Sequence, residues 1–248
     1  MYYNKSMTNI QIFPIFNQSA PMVWDDFMRI RTITRKQNYN IETTQKDFDE
    51  TMAEFKENWT KPVQNFAFAA YDDNKMIGFI SGTYEIKLAK IMHLYVLPQY
   101  QGQRIGKRLL SAAETAISVD ADTSDLISMG NSNKFYEKNG YYSETKTNHY
   151  KKSLKNSGHC SVAPSFRCMP TLIKKFEKIS GKPQQSYDRK KINHERTPVF
   201  IYRNEKSEIT AFGICSDNAQ VHGTSDWGKQ RIEKAIAAYQ QHIQTKGK

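Results

Sequence analysis

The chemistry-bearing stretch of this chain runs from Leu94 to Leu110, LYVLPQYQGQRIGKRLL. Leu94, Tyr95 and Val96 suit a half-buried strand, and Pro98 ends it because proline cannot donate to a sheet ladder. A polar turn with Gly102 and Gly106 follows. Ile105, Leu109, Ala112, Ala113 and Ala116 then fall on one face of a helix. Strand, basic glycine turn and helix within so few residues aim the N–H groups of Gln101, Gly102, Gln103, Arg104, Ile105, Gly106 and Lys107 at one point before a helix N-terminus. That point suits a phosphate or pyrophosphate. Lys107 and Arg108 can add positive charge.

The elements that must position this turn are legible on both sides of it. Residues 1–7 read as a loose leader and Ile10 to Phe16 as a first strand. Helical stripes follow at Val23, Phe27 and Ile30, then at Phe48, Met52, Phe55 and Trp59. The second helix carries an acidic outer face, either a solvated surface or a weak attractor for a cation. Asn65 to Tyr71 and Met76 to Ile86 form a hairpin around Asp72-Asp73-Asn74, with Gly78 and Gly82 marking a bulge or close packing. Leu88 to Leu97 is the strand that enters the turn. After the helix, Asp120 to Ser124 reads as a polar break and Asp125 to Gly130 as a short strand. Asn131 to Asn139 is a short helix stopped by Gly140, and Tyr141 to Leu154 supplies one or two final strands. The expected fold is α+β, a mixed sheet flanked by helices with one parallel crossover.

Ser157 to Pro164 reads as a linker to a smaller C-terminal α+β module, over 165–248. That module has a helix at Thr171 to Ser180, a polar stretch at Gln184 to Thr197, two or three strands and a last helix after Ser225 and Asp226. Its element order fits either a degenerate repeat of the first part or the ordinary order of any small α+β unit. It has no V-x-P-x-x-Q/R stretch, so no second anion site is expected there. It is expected to cap the acceptor cleft, pair sheet edges or form a dimer contact.

Composition sets the outer limits. The 248 residues carry a net charge of +11. Residues 1–155 hold 20 basic and 17 acidic side chains, so most of the excess lies in the last third. No recognition helix or stacking cluster accompanies that charge, so nucleic acid is not the expected partner. Cys160, Cys168 and Cys215 show no paired spacing, which suits a reducing compartment and argues against a zinc site. No apolar run reaches the roughly 18 residues of a membrane span, and residues 1–7 do not resemble a signal peptide. No membrane partner, no metal and a cytoplasmic location are expected.

Over residues 8–155 the chain resembles the GNAT superfamily of N-acetyltransferases. The resemblance rests on the strand A-x-I-x-x-L-Y-V, Ala89 to Val96, and on V-x-P, an aromatic and then Q/R-x-x-G-x-G/A opening a helix. Here that reads Val96, Leu97, Pro98, Gln99, Tyr100, Gln101, Gly102, Gln103, Arg104, Ile105 and Gly106. It rests also on a second element, Phe135-Tyr136-Glu137-Lys138-Asn139-Gly140-Tyr141, about thirty residues on. Arg104 stands where the family usually has its first glycine; it contributes its N–H if its φ stays negative.

The resemblance implies acetyl transfer from acetyl-CoA, a cosubstrate, to a primary amine of a small molecule or protein. The turn would hold the pyrophosphate. Exposed backbone at Leu94, Tyr95 and Val96 would pair with pantetheine, and an N–H near Tyr95 or Val96 would stabilise the oxyanion. Tyr136 would protonate the departing thiolate, since a phenol pKa of about 10 exceeds a thiol's of about 8.5. Glu85 and His93 are the candidate bases; the alternatives are a surface carboxylate and a packed imidazole. Asn131 would bond the cofactor or cap its helix. The competing function is a CoA-binding module without catalysis, used for sensing or assembly.

Overall fold

Unbroken runs of buried residues at 66–71 and 76–82 build the centre of the molecule, a sheet covered on both faces. In the computed structural model three long strands run antiparallel there: β2 (Asn65–Asp72), β3 (Lys75–Glu85) and β4 (Lys87–Val96). The structure describes residues 10–15, 20–60, 65–85, 87–118, 121–145, 147–154, 161–165, 170–182, 198–204, 208–215 and 219–246. The leader 1–7, the stretch 184–197, Cys160 and Cys168 lie outside them. Cys215 is free and buried.

β1 (Gln11–Pro14) adds to one side of β2, and β5 (Ala121–Ile127) and β6 (His149–Ser153) extend the sheet beyond β4. The order is β1-β2-β3-β4-β5-β6, with β4–β5 the parallel pair. On one face lies α1 (Ala20–Tyr39), with α2 (Gln45–Thr60) packed on it. Phe27 of α1 meets Phe79 of β3 at 4.4 Å and stacks on Phe55 of α2 at 4.9 Å, closing that layer. On the other face α3 (Ile105–Ile117) buries Leu109, Ala113 and Ala116 against β2, β3 and β4. The mixed α+β sheet expected from the sequence is therefore present.

Two elements differ from the sequence reading. The polar residues Ala121 to Ser124 are strand, not a break. They pair with Lys87–Ala89 on one side and Lys152–Ser153 on the other, so ladder pairing overrides weak propensity. The expected linker contains β7 (Ser161–Ser165), whose Pro164 is tolerated because β7 is an edge strand.

β7 begins a second sheet. It continues through α5 (Pro170–Ser180), β8 (Val199–Arg203), β9 (Ile209–Ile214), β10 (Gln220–Gly223) and α6 (Asp226–Lys246). The strands lie in sequence order and all pair antiparallel. α5 covers one face, where Phe176 stacks on Phe212 at 4.1 Å. α6 covers the other with Ile232, Ile236 and Tyr239, which join the core of the first sheet; α3 also contacts β7. Strand, helix, three antiparallel strands, helix follows the path from β1 to α3, with one helix where the first half has α1 and α2. Among the described residues the two sheets are separate.

Candidate active site

The turn after β4 is held before it reaches any ligand. Pro98–Tyr100 forms one 3-10 turn, and the Tyr100 hydroxyl donates to Asp72 at 2.8 Å, tying the loop to the β2–β3 hairpin. Gln101 is also committed: its N–H donates to Pro98 O at 3.1 Å and its Nε2 to Val96 O at 2.9 Å. The anion-facing run therefore begins at Gly102 rather than Gln101. Gly102 has φ 78° and Arg104 φ 61° and ψ 10°, both left-handed, while Gln103 between them is not. The negative φ expected at Arg104 is not found. The reason is local: alternating handedness folds successive N–H groups into one concavity, and this path needs a left-handed residue where the family has glycine.

α3 starts immediately afterwards with Arg104 as N-cap and no side-chain cap; its first intrahelical bond is Arg108 N–H to Arg104 O at 3.0 Å. The N–H groups of Ile105, Gly106 and Lys107 are left without helical partners. An uncapped, positively polarised helix end fits a pyrophosphate. Arg108 does not add its charge there, because its guanidinium donates to Ile10 O at 2.7 Å.

β4 supplies the second half of the site. It pairs with β5 only from Lys87 to Ile91, and beyond that the strands part. A bulge opposite Ser81 and Gly82 leaves Met92 without a partner residue on β3. Gly82 permits this approach, since a Cβ there would lie 2.0 Å from Lys90 O. Leu97 N–H bonds Ile77 O at 2.9 Å. By antiparallel alternation Tyr95 also directs its backbone groups to β3, and Leu94 and Val96 direct theirs into the gap. Of the two N–H groups expected near the oxyanion, Val96's faces the gap and Tyr95's does not.

The turn and the gap open on one cleft of about 990 Å³. Thr34, Asn38 and Tyr39 of α1 form one wall, and Asn131, Phe135, Tyr136 and Lys138 the opposite one. Tyr136 belongs to α4 (Asn133–Lys138) and packs edge-on against Phe135 and Tyr141. Burial, then the neighbouring phenols of Tyr39 and Tyr95, push its pKa up, so it stays protonated. Asn131 lines the cleft and caps nothing: α4 has Ser132 as N-cap, without a side-chain bond. Gly102, Arg104, Ile105, Gly106, Lys107, Leu94, Tyr95 and Val96 all border the same space, as does Gln101; Gln103 does not.

The two candidate bases fare differently. Glu85 sits opposite Leu88 at the far end of the β3–β4 hairpin, four residues or about 13 Å along the strand from Met92. Its side chain lies outside the described residues. His93 stacks beside Tyr95 and meets Phe27 edge-on at 5.3 Å. Burial, with the charges of Arg31 and Arg35, pushes its pKa down to about 4, a poor match for a base near neutrality.

A different imidazole lies on the open face of the sheet. His149 Nε2 is 2.6 Å from Asp125 Oδ1, and His149 stands opposite Ile127, which lines the cleft. Asp125 and Ile127 share a face by strand alternation. Exposed Met92 and Ile127 give that face an apolar floor. Sequence reading missed Asp125–His149 because the pair forms only when β6 aligns on β5. No group of three or more metal-ligating side chains is found among the described residues. No helix among them is long and apolar enough to cross a membrane.

Residues 64–143 match the family model described as the acetyltransferase (GNAT) domain. The resemblance read from the sequence is thus borne out over that stretch. No curated protein matches the chain. Similar solved structures include the PaiA N-acetyltransferase of Thermoplasma acidophilum in complex with coenzyme A. It is 19% identical, with 58% of this chain and 99% of that one covered, at a TM-score of 0.47. A GNAT-family acetyltransferase of Staphylococcus aureus is 14% identical, with 59% and 99% covered at 0.47. One from Brucella melitensis in complex with acetyl-CoA is 14% identical, with 59% and 88% covered at 0.44.

Proposed function

We propose that this chain is an acetyl-CoA-dependent N-acetyltransferase acting on a primary amine. One observation carries the reading: an uncapped helix N-terminus, an unpaired strand edge and a buried phenol all border the same cleft. The N–H groups from Gly102 to Lys107 would hold the pyrophosphate of acetyl-CoA, with Lys107 and Arg104 beside it. The Leu94 and Val96 backbone would take the pantetheine amides, and Val96 N–H would meet the developing oxyanion. Acetyl-CoA supplies the activated acetyl group as a thioester.

An acceptor ammonium must lose a proton before it can attack. We assign that proton to His149, oriented by Asp125, in place of Glu85 or His93. Tyr136 gives its proton to the leaving sulfur. Three cysteines without paired spacing support a reducing, cytoplasmic setting.

Thermal-shift titration with acetyl-CoA, followed by CoA release against a panel of amines, tests the reading. Tyr136→Phe should bind acetyl-CoA normally and lose about 10²-fold in kcat. His149→Gln should lower kcat/KM, with partial rescue by added imidazole. Binding with no turnover on any amine would favour a CoA-binding module without catalysis. Absence of acetyl-CoA binding would end both readings.

A further inference from the structure

The cleft passes through the gap in the sheet, and its two sides differ in chemistry. Gly106, Phe135 and Tyr136 line it on the face that carries α3, and Thr34, Asn38 and Tyr39 on the face that carries α1. On the α1 face large apolar side chains stay in the open. Ile91 and Leu126 are the last paired residues of β4 and β5, and both are buried. The next residue on each strand turns the opposite way. These residues are Met92, 42% exposed, and Ile127, 74% exposed. Met92 also borders a small hollow with Glu54 and Phe55 of α2, which puts it on the side of α1 and α2. Met129, two residues after Ile127, is 41% exposed. All three line the cleft. They are half of the six large apolar side chains exposed among the described residues, so they form a patch rather than scatter.

On the acetyltransferase reading, acetyl-CoA enters from the other face. Its pyrophosphate sits at the start of α3, so its thioester reaches the gap from the α3 side. The acceptor then comes to it over Met92 and Ile127. The charged side chains that line the cleft are Arg104, Lys107 and Lys138, all cations. The acid beside the floor, Asp125, is already bonded to His149 at 2.6 Å, and His149 is the cross-strand neighbour of Ile127. A second ammonium lying on this floor would lose water and meet methyl groups and thioethers instead, which is costly. An alkyl or aryl body would bury apolar surface on both partners. The unbranched side chains of Met92 and Met129 can shape themselves to either.

We infer that the acceptor is a primary monoamine with an apolar alkyl or aryl body, which lies on Met92, Ile127 and Met129 while its amine meets the acetyl group. This rests on the acetyltransferase reading and names its substrate class. No described residue of α2 lines the cleft, so the acidic outer face of that helix lies outside the selection.

The test uses the full chain saturated with acetyl-CoA, and CoA release is measured. Its probes are phenethylamine and the n-alkylamines from ethylamine to hexylamine, each alkylamine beside the α,ω-diamine of equal length. Along the alkylamines kcat/KM should rise with each methylene, by up to about fourfold. Hexylamine should exceed its diamine by tenfold or more. In Ile127→Ser, an exposed position that tolerates change, the rise per methylene should shrink while the melting shift given by acetyl-CoA stays. Diamines equal to or better than the monoamines, or no rise along the series, would overturn the inference and leave the acetyltransferase reading intact. Loss of the acetyl-CoA shift in Ile127→Ser would overturn it too, because the floor would then serve the donor. If no probe reacts, hexylamine raising the melting temperature of the acetyl-CoA-loaded protein above its diamine supports the inference, and any other result overturns it. A chain that binds no acetyl-CoA overturns the inference and the reading beneath it together.

Discussion

Arg104 holds a left-handed conformation that glycine would adopt freely. The strain is about 1 kcal/mol for a residue with a Cβ. Arg104→Gly should therefore raise stability by about that amount in denaturant titration. The same change removes a cation from the cleft rim, so CoA affinity should fall and become less salt-sensitive. Stability and affinity rising together would show that the guanidinium does not meet the phosphate. His93 makes a second residue-scale prediction. Its folded pKa of about 4 lies below the ordinary 6.5, so between those values the unfolded chain binds more protons. The contribution of His93 is intact above pH 6.5 and is lost as pH falls toward 4. The slope is at most about 1.4 kcal/mol per pH unit. His93→Phe should flatten that part of the stability profile, read from thermal melts across pH.

At the level of elements, two helix starts differ in how they could receive an anion. α3 and α6 each follow the fourth strand of an antiparallel set. The α3 start has no side-chain cap, whereas Ser225 Oγ accepts the Gly228 N–H at 3.2 Å at the start of α6. The second position is thus closed by its own serine, which agrees physically with the missing V-x-P-x-x-Q/R pattern. Ser225→Ala should cost about 1 kcal/mol of stability, and calorimetry should still find one CoA per chain. The bulge in β4 is equally local in origin. Gly82→Ala would drive a Cβ into Lys90 O, so it should destabilise by about 1–3 kcal/mol and depress turnover by moving Met92 and His93.

The whole molecule is joined through α3. Its inner face packs on the first sheet, it contacts β7 of the second, and Phe200, Tyr202, Ile232 and Ile236 belong to the same buried cluster as Phe79 and Leu109. Such continuity predicts one cooperative unfolding transition in scanning calorimetry rather than two. Ile236→Ala, although remote from the cleft, should lower that single transition by about 2–5 kcal/mol. None of the described residues of the second sheet lines the cleft. Through its described residues the C-terminal module buttresses the helix whose N-terminus faces the cleft.

Short-range patterns settled a good deal before any packing was considered. Pro98, the glycine turn and the Leu109–Ala113 stripe specified strand, turn and helix, because proline, glycine and helical period act within a few residues. The motif at Phe135–Tyr141 placed Tyr136 for the same reason. Tertiary structure decided what depends on neighbours distant in sequence. Residues 121–124 are polar enough for a loop and become strand only between β4 and β6. The Asp125–His149 pair needs a sheet register that no single segment encodes. His93 changed from candidate base to buried neutral ring once Phe27 and two arginines from α1 surrounded it.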